Sequence, residues 1–136
     1  MRSLAGSYSV RVERGLLSRA GSLVRRFAPG RSVALVTDRT VARLYGARVQ
    51  ASLERAGLRV VRAALPPGER SKSLASVRTL AERWAREGLG RDALVVALGG
   101  GVVSDVAGYA AASYARGIAW VVFPTTLLAQ ADAAVG

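Results

Sequence analysis

Residues Ala93–Gly108 read ALVVALGGGVVSDVAG: six apolar residues, three consecutive glycines, and an aspartate four positions after the last of them. An apolar run of that length, bounded by glycines, reads as a strand buried on both faces, and the small-residue stretch behind it has helical length. The glycines at the joint admit two readings. They make a tight turn between two core elements, with Asp105 an early helix residue favoured by the dipole, or they let the backbone approach a pyrophosphate at the helix amino terminus. As a dinucleotide fingerprint the loop is imperfect, because Ser104 stands where a third glycine is usual and the loop follows the fourth strand, not the first.

The rest of the chain repeats the pattern of this joint. SYSVRVERG (7–15) alternates in steps of two and predicts a strand ending at Gly15. LLSRAGSLVRRF (16–27) predicts a short helix. RSVALVTD (31–38) is a second strand, followed by Thr40 as N-cap and a helical stripe of Val41, Leu44, Tyr45, Val49 and Leu53 that stops at Gly57. LRVVRAAL (58–65) is a third strand and PPGERSKS (66–73) a loop. Leu74, Val77, Leu80 and Trp84 mark the buried side of a helix closed by Gly88. After the strand at 93–98, a helix over 102–116 ends at Gly117, IAWVVF (118–123) forms a strand, and TTLLAQADAAV (125–135) begins another helix. Strands that alternate with helices and read as continuous apolar runs imply a doubly wound α/β fold with a mostly parallel, Rossmann-like sheet. Ligands of such sheets bind where the strands end at their carboxyl side. The segments VTD, LPPGERSK, GGGVVSD and FPTT each follow a strand and are expected to face one cleft.

Composition narrows the chemistry. The 136 residues, 51% hydrophobic, suit one globular domain. Cysteine is absent, so neither a disulfide framework nor a thiolate metal site is available, and a cytoplasmic address is expected. No apolar run spans a bilayer, and the start of the chain lacks the apolar core of a signal peptide, so no membrane association is expected. The net charge of +11 raises the question of nucleic acid, but the arginines are scattered among Glu54, Glu82 and Glu87, which describes a solvated surface and no nucleic-acid partner. Histidine is also absent, which removes the commonest general base and metal ligand. No metal ligand is assigned to any residue of the chain.

Several side chains at the strand tips have chemistry to offer beside a plainer structural role. Asp38 can accept two ribose hydroxyls or cap a helix. Glu69 and Lys72 can form a surface salt bridge, yet Lys72 is the one lysine of a chain otherwise committed to arginine, and a compact ammonium suits a phosphate. Thr125 and Thr126 can cap the last helix or face a ligand. Arg116 can complement a helix carboxyl terminus, and Asp132 can be a polar residue on the last helix.

The set LPPGERSKSL, LGGGVVSDVAGYAAASYARGI and FPTTLLAQADAAVG, in this order and spacing, resembles the 3-dehydroquinate synthases, and the likeness extends loosely back to VTD and VERGLL. It covers nearly all of the chain but only the amino-terminal part of the family's pattern, so residues 1–136 would form the NAD-binding α/β domain without the family's helical second domain. The resemblance implies an enzyme that holds NAD and a divalent metal, zinc or cobalt. Its substrate would be a sugar-acid phosphate, 3-deoxy-D-arabino-heptulosonate 7-phosphate, converted to 3-dehydroquinate and phosphate, and the enzyme would be a homodimer. By matching position, Asp38 would contact the adenosine ribose and Glu69 and Lys72 the nucleotide. Gly100, Gly101 and Val102 would line the pyrophosphate, with Asp105, Thr125 and Thr126 completing the cofactor site. Asp132 would stand near the reacting end of the substrate, and Arg116 would reach a substrate phosphate across a dimer interface. The family's metal ligands lie in the second domain, so this chain alone is expected to be inactive. Other sugar-phosphate cyclases and iron-dependent polyol dehydrogenases share parts of the pattern, although LLAQADAAVG replaces the dehydrogenases' Gly-Thr-Gly. A noncatalytic nucleotide-binding or dimerisation module is the alternative of another class.

Overall fold

A computed structural model of the chain describes residues 2–3, 6–7 and 9–134. A short antiparallel hairpin pairs β1 (Arg2–Ser3) with β2 (Gly6–Ser7). The apolar runs then form β3 (Ser32–Asp38), β4 (Arg59–Leu65), β5 (Leu94–Gly99) and β6 (Ala119–Pro124). These four strands are all parallel, in the order β4-β3-β5-β6. The alternating α/β expectation therefore holds.

Because side chains alternate across a strand, each strand feeds two cores. Val33 and Leu35 of β3, with Leu94, Val96 and Leu98 of β5, pack beneath α1 (Ala20–Val24) and α3 (Ala47–Arg55). Ala34 and Val36, with Val95 and Ala97, pack beneath α4 (Leu74–Arg86) and α5 (Gly101–Ser113). All nine are fully buried, and each large aliphatic among them contributes about 1.5–3 kcal/mol relative to exposure. On the second face, Trp84 of α4 meets Tyr114 edge to face at 5.4 Å, and the Tyr114 hydroxyl donates to the Leu89 carbonyl at 2.7 Å.

Several expectations change. Residues 9–13 join no ladder, and Val10 and Val12 are 59% and 91% exposed, because alternation makes a strand only where an edge is present to pair with it; Tyr8 of the same predicted strand lies outside the described residues. The cap before the next helix is Asp38, whose Oδ1 accepts from the Val41 amide at 2.9 Å, so the short α2 (Arg39–Val41) already contains Thr40. A π-helical turn over Ala42–Gly46 adds a residue per turn and swings Leu44 outward, to 58% exposure, while Val41, Val49 and Leu53 stay buried. Leu74, the first residue of α4, is exposed although Leu80 and Trp84 are buried. The helix expected over 102–116 stops at Ser113, and the last one passes into a π-helical turn over Ala129–Ala133; Val135 lies outside the described residues.

Gly21 brings α1 onto α3: its amide donates to Ser52 Oγ at 3.1 Å, and a Cβ there would collide with the Ser52 carbonyl. Gly21→Ala is expected to destabilise the fold by roughly 1–3 kcal/mol, measured by urea unfolding. An unchanged midpoint would show that α1 does not need this close approach.

Candidate functional site at the strand tips

The strand order places the reversal of winding between β3 and β5, since β4 lies to one side of β3 and β5 and β6 to the other. The register aligns the carboxyl ends: Asp38 pairs with Leu65 and Gly99 with Pro124. Asp38, the loop after β4, the glycine turn and Thr125–Thr126 consequently gather at one end of the sheet, on the crevice where open α/β sheets bind ligands.

The glycine turn has no slack. A Cβ on Gly99 would lie 2.6 Å from Val103 Cγ2, and one on Gly100 would lie 3.2 Å from Thr126 Cγ2. Neither glycine has positive φ, so close approach and not backbone conformation requires them. Gly100 is the N-cap of α5 without a side chain to offer, which leaves the first amides of a 13-residue helix without a capping side chain, beginning at Gly101 and Val102. Ser104 does not crowd this opening. It is buried, and its hydroxyl donates back to the Gly100 and Gly101 carbonyls at 3.0 and 3.2 Å.

Three neighbours complete the crevice. Lys72 Nζ sits 2.6 Å from Asp105 Oδ2, tying the loop after β4 to the first turns of α5, and both side chains are half exposed. The loop is itself pinned, because Ser71 Oγ donates to the Pro66 carbonyl and Ser73 caps α4 by accepting from the Ser76 amide at 3.2 Å. Thr125 donates its amide to the Gly99 carbonyl at 2.9 Å, and Thr126 Oγ1 accepts from the Ala129 amide at 3.2 Å. The capping reading of Thr126 is thus realised beside Gly100, and a capping role and a position at the crevice coexist. Ser71 and Ser73 were missed as site-forming residues; a serine directly before the first residue of a helical stripe is the cap signature that marks Ser73.

Two of these groups have capacity to spare. Thr125 Oγ1 is buried and has no hydrogen-bond partner among the described residues, and Asp38 uses one carboxylate oxygen as a cap. An orphaned hydroxyl, an acceptor oxygen, a glycine cradle and an ammonium fit a dinucleotide: the cradle and ammonium suit phosphates, the carboxylate suits ribose hydroxyls. A metal does not fit in the same way, since the described residues contain no cluster of three metal-ligating side chains.

The remaining candidates do not all join this group. Glu69 is close enough to add a small electrostatic push on Lys72. Asp132 lies on the π-helical turn that follows Thr126, and is exposed. Arg116 is at the other end of the sheet, beyond the carboxyl end of α5, about 20 Å from the glycine turn by the length of that helix. It sits in a left-handed run, with φ of 50° at Ala115, 67° at Arg116 and 96° at Gly117, a conformation that costs a non-glycine residue about 1–2 kcal/mol. Within one chain, Arg116 cannot act at the crevice.

The hydrogen bond and charge of Asp105 hold the Lys72 ammonium above its ordinary value of 10.5; loss of solvation pulls weakly the other way, and Glu69 adds a smaller push upward. A value raised by folding means that this contribution to stability is complete below 10.5 and is lost as pH rises through the raised value. Lys72 is the sole lysine, so its Cε resonance can be followed without assignment. Its titration midpoint is expected above 10.5 and to fall toward 10.5 in Asp105→Asn; equal midpoints in the two proteins would show that the ion pair does not form in solution.

Comparisons agree with the architecture. The family model described as 3-dehydroquinate synthase N-terminal matches residues 62–136, more than half of the chain. A 3-dehydroquinate synthase of Symbiobacterium thermophilum is 50% identical over 130 residues, covering 95% of this chain and 36% of that relative. Among solved structures, the 2-epi-5-epi-valiolone synthase ValA of Streptomyces hygroscopicus subsp. jinggangensis, with NAD+ and Zn2+ bound, superposes with a TM-score of 0.80 at 32% identity, covering 96% of this chain and 36% of that one. A 2-deoxy-scyllo-inosose synthase complexed with carbaglucose-6-phosphate, NAD+ and Co2+ gives 0.78 at 30% identity, covering 87% and 32%. The chain spans about a third of the length of the curated relatives it matches. With the glycine turn, the ion-paired lysine and the threonine cap gathered at one sheet end, and with this family match over most of its length, the chain belongs to the 3-dehydroquinate synthase family, in its amino-terminal region.

Proposed function

We propose that the chain carries the dinucleotide site of a 3-dehydroquinate synthase, the enzyme that converts 3-deoxy-D-arabino-heptulosonate 7-phosphate to 3-dehydroquinate and phosphate. The observation that carries this reading is the convergence of the α5 amides, Lys72 held by Asp105, and Thr126 beside Gly100 at one end of the sheet. Bound NAD would supply reversible oxidation of a ring hydroxyl on the substrate. The chain's own part is to hold it: Gly100, Gly101 and Val102 present amides to the pyrophosphate, Lys72 and Glu69 border it, Asp38 receives the adenosine ribose, and Asp105, Thr125 and Thr126 close the site. Asp105 also positions Lys72, and a pyrophosphate would draw the ammonium away from that carboxylate. Asp132 would face the substrate, and Arg116 would serve the crevice of a second copy in a homodimer, which accords with its distance from its own.

The two solved relatives bind NAD+ with Zn2+ or Co2+, which supports a divalent metal for the complete activity. The described residues offer no ligand cluster for it, so the 136 residues by themselves are proposed to bind cofactor and not to turn over. The higher identity to 3-dehydroquinate synthases than to the valiolone and inosose synthases favours the first substrate over theirs. A cytoplasmic site of action is part of the proposal; no helix among the described residues is long and apolar enough to cross a membrane.

Millimolar NAD is expected to raise the thermal midpoint of the chain, by an amount equivalent to about 1.4 kcal/mol when the ligand stands at ten times Kd. Lys72→Met should reduce the shift given by NAD more than any shift given by adenosine, which lacks phosphates. No response to millimolar NAD would remove the cofactor reading from this chain.

A further inference from the structure

A carbonyl and the amide that follows it lie in one rigid peptide plane and, across a trans bond, point in opposite directions. Whatever holds the carbonyl therefore aims the amide. In the turn that opens α5, three successive carbonyls are held from inside the protein. The Gly99 carbonyl accepts from the Thr125 amide at 2.9 Å. The Gly100 carbonyl accepts from the Ser104 amide at 3.1 Å and from the Ser104 hydroxyl at 3.0 Å, and the same hydroxyl reaches the Gly101 carbonyl at 3.2 Å. The amide ends of these three peptide units belong to Gly100, Gly101 and Val102, all partly exposed, while Ser104 is 2% exposed beneath them.

Consecutive glycines have little of their own to keep such planes in place, because a residue without a Cβ explores far more of backbone space. The Ser104 amide closes the first helical bond whatever side chain the residue carries. Its hydroxyl is the additional tie, and it spans two adjoining planes. In the usual dinucleotide fingerprint a glycine at this place serves close packing of helix on strand, and a glycine would leave both carbonyls without that tie. Here the packing is close with a serine in position. We infer that Ser104 is a positioning residue of the dinucleotide cradle: its hydroxyl fixes the two peptide planes whose amide ends, at Gly101 and Val102, face a diphosphate. Amides ordered before the ligand arrives need not be ordered by it, and affinity gains by the ordering that is avoided. The inference rests on the cofactor reading for its ligand and on the two hydrogen bonds for the positioning. It is separate from the Lys72–Asp105 ion pair, which Ser104 does not join.

Ser104→Ala tests it, since it removes the hydroxyl, keeps the helical amide and places the better helix former in α5. In the wild-type chain the amide order parameters of Gly101 and Val102 are expected near the rigid-backbone value of about 0.85, and in the variant to fall by about 0.1 or more, with those of Val95 and Val96 in β5 unchanged. NAD and ADP, which share a diphosphate, are expected to bind the variant about threefold to tenfold more weakly, and adenosine within about twofold of wild type. The inference is overturned if the two order parameters hold, if NAD binds both proteins equally, or if adenosine weakens as much as ADP, which would mean a general loss not aimed at the diphosphate. A wild-type chain that binds neither NAD nor ADP would remove the cofactor reading and this inference with it, whereas binding that is indifferent to the substitution removes the inference alone.

Discussion

The joint between β5 and α5 has room for a backbone and nothing more, and the site depends on that restriction. Val103 closes over Gly99 from one side and Thr126 over Gly100 from the other. A Cβ at Gly99 would force Val103 to move, and one at Gly100 would make Thr126 give way by a few tenths of an ångström. The packing thus delivers the start of α5, with its uncapped amides, directly onto the end of the most deeply buried strand. A helix terminus so placed is a fixed partial positive charge that no rearrangement is needed to expose.

Side chains reach this terminus from both faces of the sheet, because the winding reverses between β3 and β5. Asp38 arrives with the helices of one layer and Lys72 with the loop that leads into the other. The ammonium is not free: Asp105 holds it, and the loop that carries it is tied down through Ser71 and Ser73. The cation is therefore stored in place on a half-exposed partner, a weak arrangement in water that a phosphate can displace.

Much of this was legible in the residue order. Apolar runs at 31–38, 58–65, 93–98 and 118–123 announced four strands, which the structure places at Ser32–Asp38, Arg59–Leu65, Leu94–Gly99 and Ala119–Pro124, and the rule that ligands gather at their carboxyl ends picked out the loops that the structure brings together. The misreadings have local physical causes. Ser9–Glu13 has a strand's alternation, but pairing is a property of two segments and only one was in view. Leu44 sits on a perfect 3.6-residue stripe that a single π-helical turn rotates outward. Thr40 and Asp38 are both capping residues two positions apart, and which one caps depends on where the strand releases the chain.

Asp38 serves two masters with one carboxylate. One oxygen is committed to the Val41 amide and therefore to the scaffold, so whatever the other oxygen recognises is inherited together with the integrity of the helix that follows. A variant at this position reports on folding and recognition at once, and its affinity has meaning only beside its stability. The replacements that keep a capping side-chain oxygen here are Asn, Ser and Thr, and none of them leaves a charged oxygen for recognition.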